Sequence, residues 1–359
     1  MRPTVKFLNE ELIIKIIDEA IDVLTKLGVE IHNKLAFDTM SDNGANVEIQ
    51  KNKVFYTRDL IEKSLKSSKS SFKLFDIFGK ETNNFSGFNV SFTPGSSALN
   101  ILDYDLKDER KPTVRDYIKY VKLVSQLKNI ASQSTAFVPS NVPEQISDSI
   151  RLYLSLIYGS KPIVTGCFTK ESFEVMKDLQ IAVRGSEDNL KEKPLTIFSV
   201  CPTSPLKWSD VTAQNLIDCA KYSIPVEFIS MPLSGFLAPV TIVGSLIQHT
   251  AETLSGIVIH QLINPGAPFL YGGSPAIFDV RYETTPMGAI ETMMLDCAYN
   301  EIGKYLNLPT QAYIALSDSK SMDFQAGLET SMGAVLAGIS GINNISGPGM
   351  LDFENCISL

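Results

Sequence analysis

Clustered histidines, paired cysteines, long basic runs and long apolar runs are all missing from this sequence. Only three histidines occur, His32, His249 and His260. His249 and His260 lie eleven residues apart in one apolar helical stretch, which places them about 16 Å apart along the axis, too far to share a metal. A zinc hydrolase or a histidine-dependent triad is therefore unsupported, and no metal site is expected. The five cysteines (Cys167, Cys201, Cys219, Cys297, Cys356) are odd in number, scattered, and without C-x-x-C spacing. Neither a disulfide framework nor a structural zinc follows, and reduced thiols in the cytoplasm are expected. Forty acidic against 32 basic residues give a net charge of −8, with no Lys/Arg stripe for phosphates, so nucleic acid is excluded as a partner. No run approaches eighteen uninterrupted apolar residues and the N-terminus lacks an h-region, so no membrane partner is expected.

What remains is a globular composition: 359 residues, 44% hydrophobic, 20% charged, with mean hydropathy near zero. Residues 10–27, "EELIIKIIDEAIDVLTKL", carry apolar side chains at helical spacing and stop at Gly28; short helices and strands follow. Residues 1–95 read as an N-terminal α+β cap. From residue 96 to 359 the chain alternates strand-like runs with amphipathic stretches. "SALNILDYD" precedes a helix near 113–127, "ASQSTAFV" one near 143–157, and "KPIVTGCF" one near 170–183. "LTIFSVCP", "PVEFISMP", "PFLYGGSP" and "TQAYIAL" precede helices near 208–221, 240–263, 286–306 and 323–340, and "NNISGPG" closes the series. Eight parallel strands, each with its crossover helix, predict an α/β fold of the (β/α)8 TIM-barrel kind. The doubly wound alternative lacks its glycine fingerprint after the first strand. Only "MLDFENCISL" remains for the eighth helix, so the last barrel helix is expected to be truncated, as in part of a longer protein.

In such a barrel the chemistry sits at the C-terminal ends of the strands. Strands three and four bring Thr165, Cys167, Phe168, Ser199 and Cys201 there; others bring Tyr104, Phe137, Phe228, Met231, Tyr271, Ser274, Phe278 and Met350. Gly347 and Gly349 sit where many barrels hold phosphate, but Asp352 and Glu354 follow and would repel one. Aromatic and thioether surface mixed with carboxylates suits a methylated cation, since ring faces attract quaternary ammonium. Lys320, beyond the seventh strand, offers a competing Schiff-base, aldolase-like chemistry if it is desolvated.

Strands six to eight go further. "GAPFLYGGSPAIFDVRYETTPMGAIETMMLDCAYNEIGKYLNLPT", "SDSKSMDFQAGLETSMGAVLAGISGINNISGPGMLDFE" and "SVCPTSPL" closely resemble the trimethylamine methyltransferase family, in its branch without pyrrolysine. The resemblance implies a barrel that moves a methyl group from a methylated amine to the Co(I) of a corrinoid, with the cobalamin carried by a partner protein rather than bound directly. Ordinary residues fill Tyr313 to Asp318, where the founding members would insert pyrrolysine, so a quaternary amine of the glycine betaine type is the expected substrate. Its leaving group is already a neutral amine, so no general acid is needed. Under that resemblance Tyr271, Phe278 and Phe228 form cage walls with Met231, Met350 and Tyr104, and Asp318 or Glu291 supplies the anion. Gly273, Ser274 and Ser317 serve as donors to a substrate carboxylate, with Gln325 and Glu329 at the rim. Asp279 and Arg281 brace the long loop after strand six or meet the corrinoid protein. A barrel that only binds a quaternary amine is the non-catalytic alternative, and a homo-oligomer is expected.

Overall fold

The computed structural model describes residues 3–103 and 108–358. Eight parallel segments carry the fold: β1 (Ser91–Thr93), β2 (Gln133–Ser134), β3 (Ile163–Thr165), β4 (Thr196–Val200), β5 (Val226–Phe228), β6 (Phe269–Leu270), β7 (Gln311–Tyr313) and β8 (Asn344–Ser346). Ladders join β2 to β3, β4, β5 and β6 in turn, with Val164 opposite Ser134 and Ile197, Ser199 opposite Glu227, and Val226 opposite Phe269. A parallel bridge from Tyr271 to Thr310 carries the order to β7, and ladders continue to β8 and β1. Bridges Phe92 to Ile130 and Ala98 to Phe137 bring β1 back to β2, so the pairing returns to its start.

Helices connect the strands: α1 (Val114–Gln126), α2 (Ser147–Tyr158), α3 (Lys170–Arg184), α4 (Asp210–Lys221), α5 (Ile242–Ile263), α6 (Ile290–Tyr305) and α7 (Phe324–Ser340). Their ends are written in the sequence. Thr169, Ser209, Thr241 and Asp323 each accept a backbone N–H from the first turn of α3, α4, α5 and α7, and Thr113 and Asp116 form a capping box on α1. Gly185 and Gly341 end α3 and α7 with φ of 83° and 78°, the left-handed conformation that favours glycine. By length and composition α5 could cross a membrane, but most of it is buried inside the fold.

Side-chain parity separates the two faces of the ring. Along β5, Val226 and Phe228 face the helices while Glu227 points inward; along β4, Phe198 packs on Phe173 of α3 while Ser199 points inward. The N-terminal end of the ring is closed by Val164, Ile197 and Leu270 with Leu74 and Phe85 of the hairpin Lys73–Phe75/Glu81–Asn84. The N-terminal helix Glu10–Asp22 buries Ile13, Ile16, Ile17, Ala20 and Ile21, and packs on α5.

One expectation changes. The first ring strand is Ser91–Thr93, on the cap side of the boundary drawn at residue 95, rather than 97–105. Asn100–Asp103 instead pairs antiparallel with Asp108–Arg110 and parallel with Cys356–Ser358. Thr93 faces a polar interior, where its Oγ1 donates to Asn344 Oδ1 at 2.9 Å, so β1 lacks the apolar continuity that marks its neighbours. Beyond β8, Met350–Leu351 folds back antiparallel onto Cys356–Ser358, and among the described residues no helix follows β8.

Candidate functional site

Above the apolar floor the ring interior turns polar. Ser199 Oγ donates to Glu227 Oε1 at 2.8 Å, and Asn344 Nδ2 approaches Oε2 at 3.3 Å. Glu227 is fully buried, and burial pushes its carboxyl up to about 7 against the pull of those two donors. Tyr313, on β7, shares the inner face; its hydroxyl lies 2.7 Å from Ser96 Oγ, and burial with Glu227 nearby raises it well above the usual phenol range.

Over this layer opens a cavity of about 350 Å³, at the C-terminal ends of the strands where the barrel rule places a site. Thr165, Cys167, Phe168, Ser199 and Cys201 line it, as the strand ends predict, together with Met231, Ser274, Tyr313 and Glu354. Cys201 lies exposed at this cavity; desolvation by the surrounding wall, with Glu227 and Glu354 nearby, raises its thiol above the ordinary range. Glu354 Oε1 is buried without a hydrogen-bond partner among the described residues, and burial with Asp318 nearby raises its carboxyl to about 7. Ser274 Oγ is likewise buried and unpartnered among them. Among the described residues no Lys, Arg or His lines this cavity.

A second, more open hollow of about 580 Å³ lies at the rim and gathers Asp279, Tyr282, Asp318, Lys320, Gln325 and Glu329. Asp318 accepts Met287 N–H at 2.9 Å and Gly288 N–H at 2.7 Å, and its carboxyl rises to about 6 because burial outweighs those bonds. Ser317 Oγ and the Asp318 N–H both donate to Glu329 Oε2, at 2.6 and 2.9 Å, while Gln325 Nε2 donates to Oε1. Asp279 holds Arg281 through bonds of 3.0 and 2.7 Å and braces the loop 279–284.

The expected site residues thus divide. Ser274 and Met231 line the inner cavity, and Asp318 and Gln325 line the rim hollow. Tyr271 and Phe228 are corrected out of the cage. Tyr271 donates to Thr250 Oγ1 of α5 at 3.1 Å, and Phe228 packs edge-on against Trp208 and Phe269, because both occupy outward positions of their strands. Phe278 stacks on Phe236 at 4.7 Å rather than on the cavity. Gly273 is engaged too: its N–H donates to Gln311 Oε1, and a Cβ there would meet His249 Nε2 at 2.2 Å. Ser317 is committed to Glu329, Met350 is buried against Gly95, and Glu291 is exposed at the start of α6. Tyr104 lies outside the described residues. Lys320 is 78% exposed, with Nζ 3.7 Å from Asp352 Oδ1, which removes the desolvation a Schiff-base lysine requires. His249 and His260 are buried in the helix layer and held neutral, burial pulling both down to about 3.

A family model described as trimethylamine methyltransferase (MTTB) matches residues 1–353 of this chain. The chain belongs to the trimethylamine methyltransferase family. Among its relatives in this family are the trimethylamine methyltransferase MttB of Desulfitobacterium hafniense, 31% identical over 96% of this chain and 70% of that protein. A glycine betaine methyltransferase from another strain of the species is 29% identical, over 95% of this chain and 71% of its own. The crystal structure of the monomethylamine methyltransferase MtmB of Methanosarcina barkeri shares the fold, with a TM-score of 0.59 over 98% of this chain and 71% of that one at 11% identity. As a methyltransferase of this family, the chain holds its inner carboxyls at Glu227 and Glu354 and its inner phenol at Tyr313, none of which the strand-end rule singled out. A lone acid inside the apolar run "PVEFISMP" was the available signal for Glu227, since parity puts it opposite the faces of Val226 and Phe228.

Proposed function

We propose that this chain transfers a methyl group from a quaternary amine to the Co(I) of a corrinoid carried by a partner protein, and that the ring of parallel strands is the (β/α)8 barrel that performs this work. The observation that carries the reading is the inner cavity: the Glu354 carboxyl at its wall with Glu227 buried one layer below, a phenol at Tyr313, thioether and aromatic surface at Met231 and Phe168, and, among the described residues, no cationic side chain on its wall. Such a lining desolvates a fixed cation while offering it compensating charge. In the step itself the cobalt electron pair forms the Co–C bond, the C–N bond breaks, and its electrons stay on nitrogen. The products are methyl-Co(III) and a neutral tertiary amine, so no proton is required and no acid need be poised. The protein's task is to hold the ammonium against the carboxyls with one methyl toward the open mouth, in a dry site.

Exposed Phe236, Tyr282 and Met322 on the loops at this end of the ring, with exposed Phe324 at the start of α7, support a protein partner there. Glycine betaine enters as the named substrate of a relative, and trimethylamine as that of others. The test is to mix the protein, Co(I) corrinoid protein and a panel of quaternary amines and follow the cobalt spectrum. Conversion of Co(I) to methyl-Co(III) with at least one of them is expected; amine binding without conversion leaves only the non-catalytic alternative.

A further inference from the structure

We infer that the inner cavity selects a quaternary ammonium ion that carries no carboxylate, and that Glu354 is the residue that sets this preference. The inference rests on the quaternary-amine reading above and narrows its substrate class.

Three observations meet at Glu354. The first is charge. Among the described residues lining the cavity no side chain is cationic; Asp318 beyond β7 lies close enough to raise the Glu354 carboxyl and Glu227 sits one layer below, whereas the Cys201 thiol and the Tyr313 phenol, both shifted up, add no negative charge. The Arg151 guanidinium lies 5.0 Å from the centre of the Phe168 ring and is fully buried. Its two Nη groups are committed to Asp148 at 2.9 Å and to the Thr135 carbonyl at 3.0 Å, and its Nε is buried without a partner among the described residues. The donors once assigned to a substrate carboxylate do not stand in the cavity as a set. Gly273 and Ser317 are spent on Gln311 and Glu329, and only Ser274 remains.

The second observation is backbone strain. Asp352, Phe353 and Glu354 are three successive non-glycine residues in the left-handed region, with φ of 48°, 54° and 65°. Left-handed backbone is unfavourable for each of them, and a run of three persists only where the surroundings impose it. Here the Asp352 N–H donates to the Ser319 carbonyl at 3.0 Å, and Asn355 closes the turn onto Asp352 while its own carbonyl accepts from Leu99 and Asn100. The turn swings Glu354 back over the cavity. The third observation is the carboxyl itself, whose Oε1 is buried at the wall and has no partner among the described residues.

A trimethylammonium head meets the Glu354 carboxylate here, whereas a betaine carboxylate, only a methylene from its nitrogen, enters the same small cavity and faces that same carboxylate. Like charges at that range select against the zwitterion. A hydroxyl tail, by contrast, finds Ser274 Oγ.

Calorimetry on the wild-type protein at pH 8 with tetramethylammonium, choline and glycine betaine tests this directly. The two carboxylate-free cations are expected to bind at least about tenfold more tightly than glycine betaine. Glu354→Gln is expected to bring the three ligands within about threefold, mainly by weakening the cations. Glycine betaine binding as tightly as choline overturns the inference while leaving the quaternary-amine reading standing. Failure of all three ligands to bind removes that reading and the inference with it. An unchanged preference in folded Glu354→Gln protein removes Glu354 as its source; should that variant not fold, the wild-type ranking still decides the substrate class.

Discussion

Replacing Glu227 by glutamine should change how the protein's stability depends on pH more than its stability at any one pH. Glu227 is fully buried in the ring, and burial lifts its carboxyl from an ordinary 4.5 to about 7. Because the folded value lies above the unfolded one, the native state keeps a proton that the unfolded chain releases, and wild-type stability falls as pH rises through that window. At about 1.4 kcal/mol per tenfold change in proton affinity, the fall between pH 5 and pH 8 is about 2.5 kcal/mol for this group. Glutamine keeps the acceptor for Ser199 Oγ but sets an amide against Asn344 Nδ2, a long contact at 3.3 Å whose loss costs about 1 kcal/mol at every pH. Urea unfolding of both proteins at pH 5, 6, 7 and 8 is the assay, read as the difference between the two curves, which cancels Glu354 and the other acids. The variant is expected to be about equal to or below wild type at pH 5 and about 1 to 2 kcal/mol more stable at pH 8. Parallel curves across the window would refute the placement of an uncompensated acid inside the ring.

Phe228→Ala should cost about 3 to 5 kcal/mol by emptying the space between Trp208, Phe269 and α5, yet leave ligand affinity of the folded protein unchanged, as thermal unfolding with and without tetramethylammonium will show. Asp318→Asn retains one of the two acceptors that hold the Met287 and Gly288 N–H groups; about 1 to 3 kcal/mol of local stability is lost, and limited proteolysis should cut the loop 279–289 faster with the inner cavity still binding. A loop no more labile than wild type would contradict the bracing role of Asp318.

The strand and helix order was legible because parallel strands covered on both faces read as short apolar runs and because the caps Thr169, Ser209, Thr241 and Asp323 mark where helices begin. β1 was misplaced because its inward residues serve a polar interior. The rim list found Thr165, Phe168, Ser199 and Cys201 by their position at strand ends. It also drew in Tyr271 and Phe228, because proximity to a strand end says nothing about which face a side chain takes, and a shift of one residue exchanges cavity for helix layer. Composition suggested an aromatic cage. The structure instead gathers acids, and the two that matter most, Glu227 and Glu354, owe their surroundings to a strand register and a left-handed turn that no local pattern announces.

The most direct test of the account is to locate the cation. Tetramethylarsonium has the shape and charge of a quaternary amine, and arsenic gives an anomalous signal, so a crystal grown with it reports the site without assumption. The account predicts one anomalous peak in the inner cavity, bordered by Tyr313, Met231 and Glu354. A peak confined to the rim hollow between Asp318 and Lys320, or none at all, would contradict it.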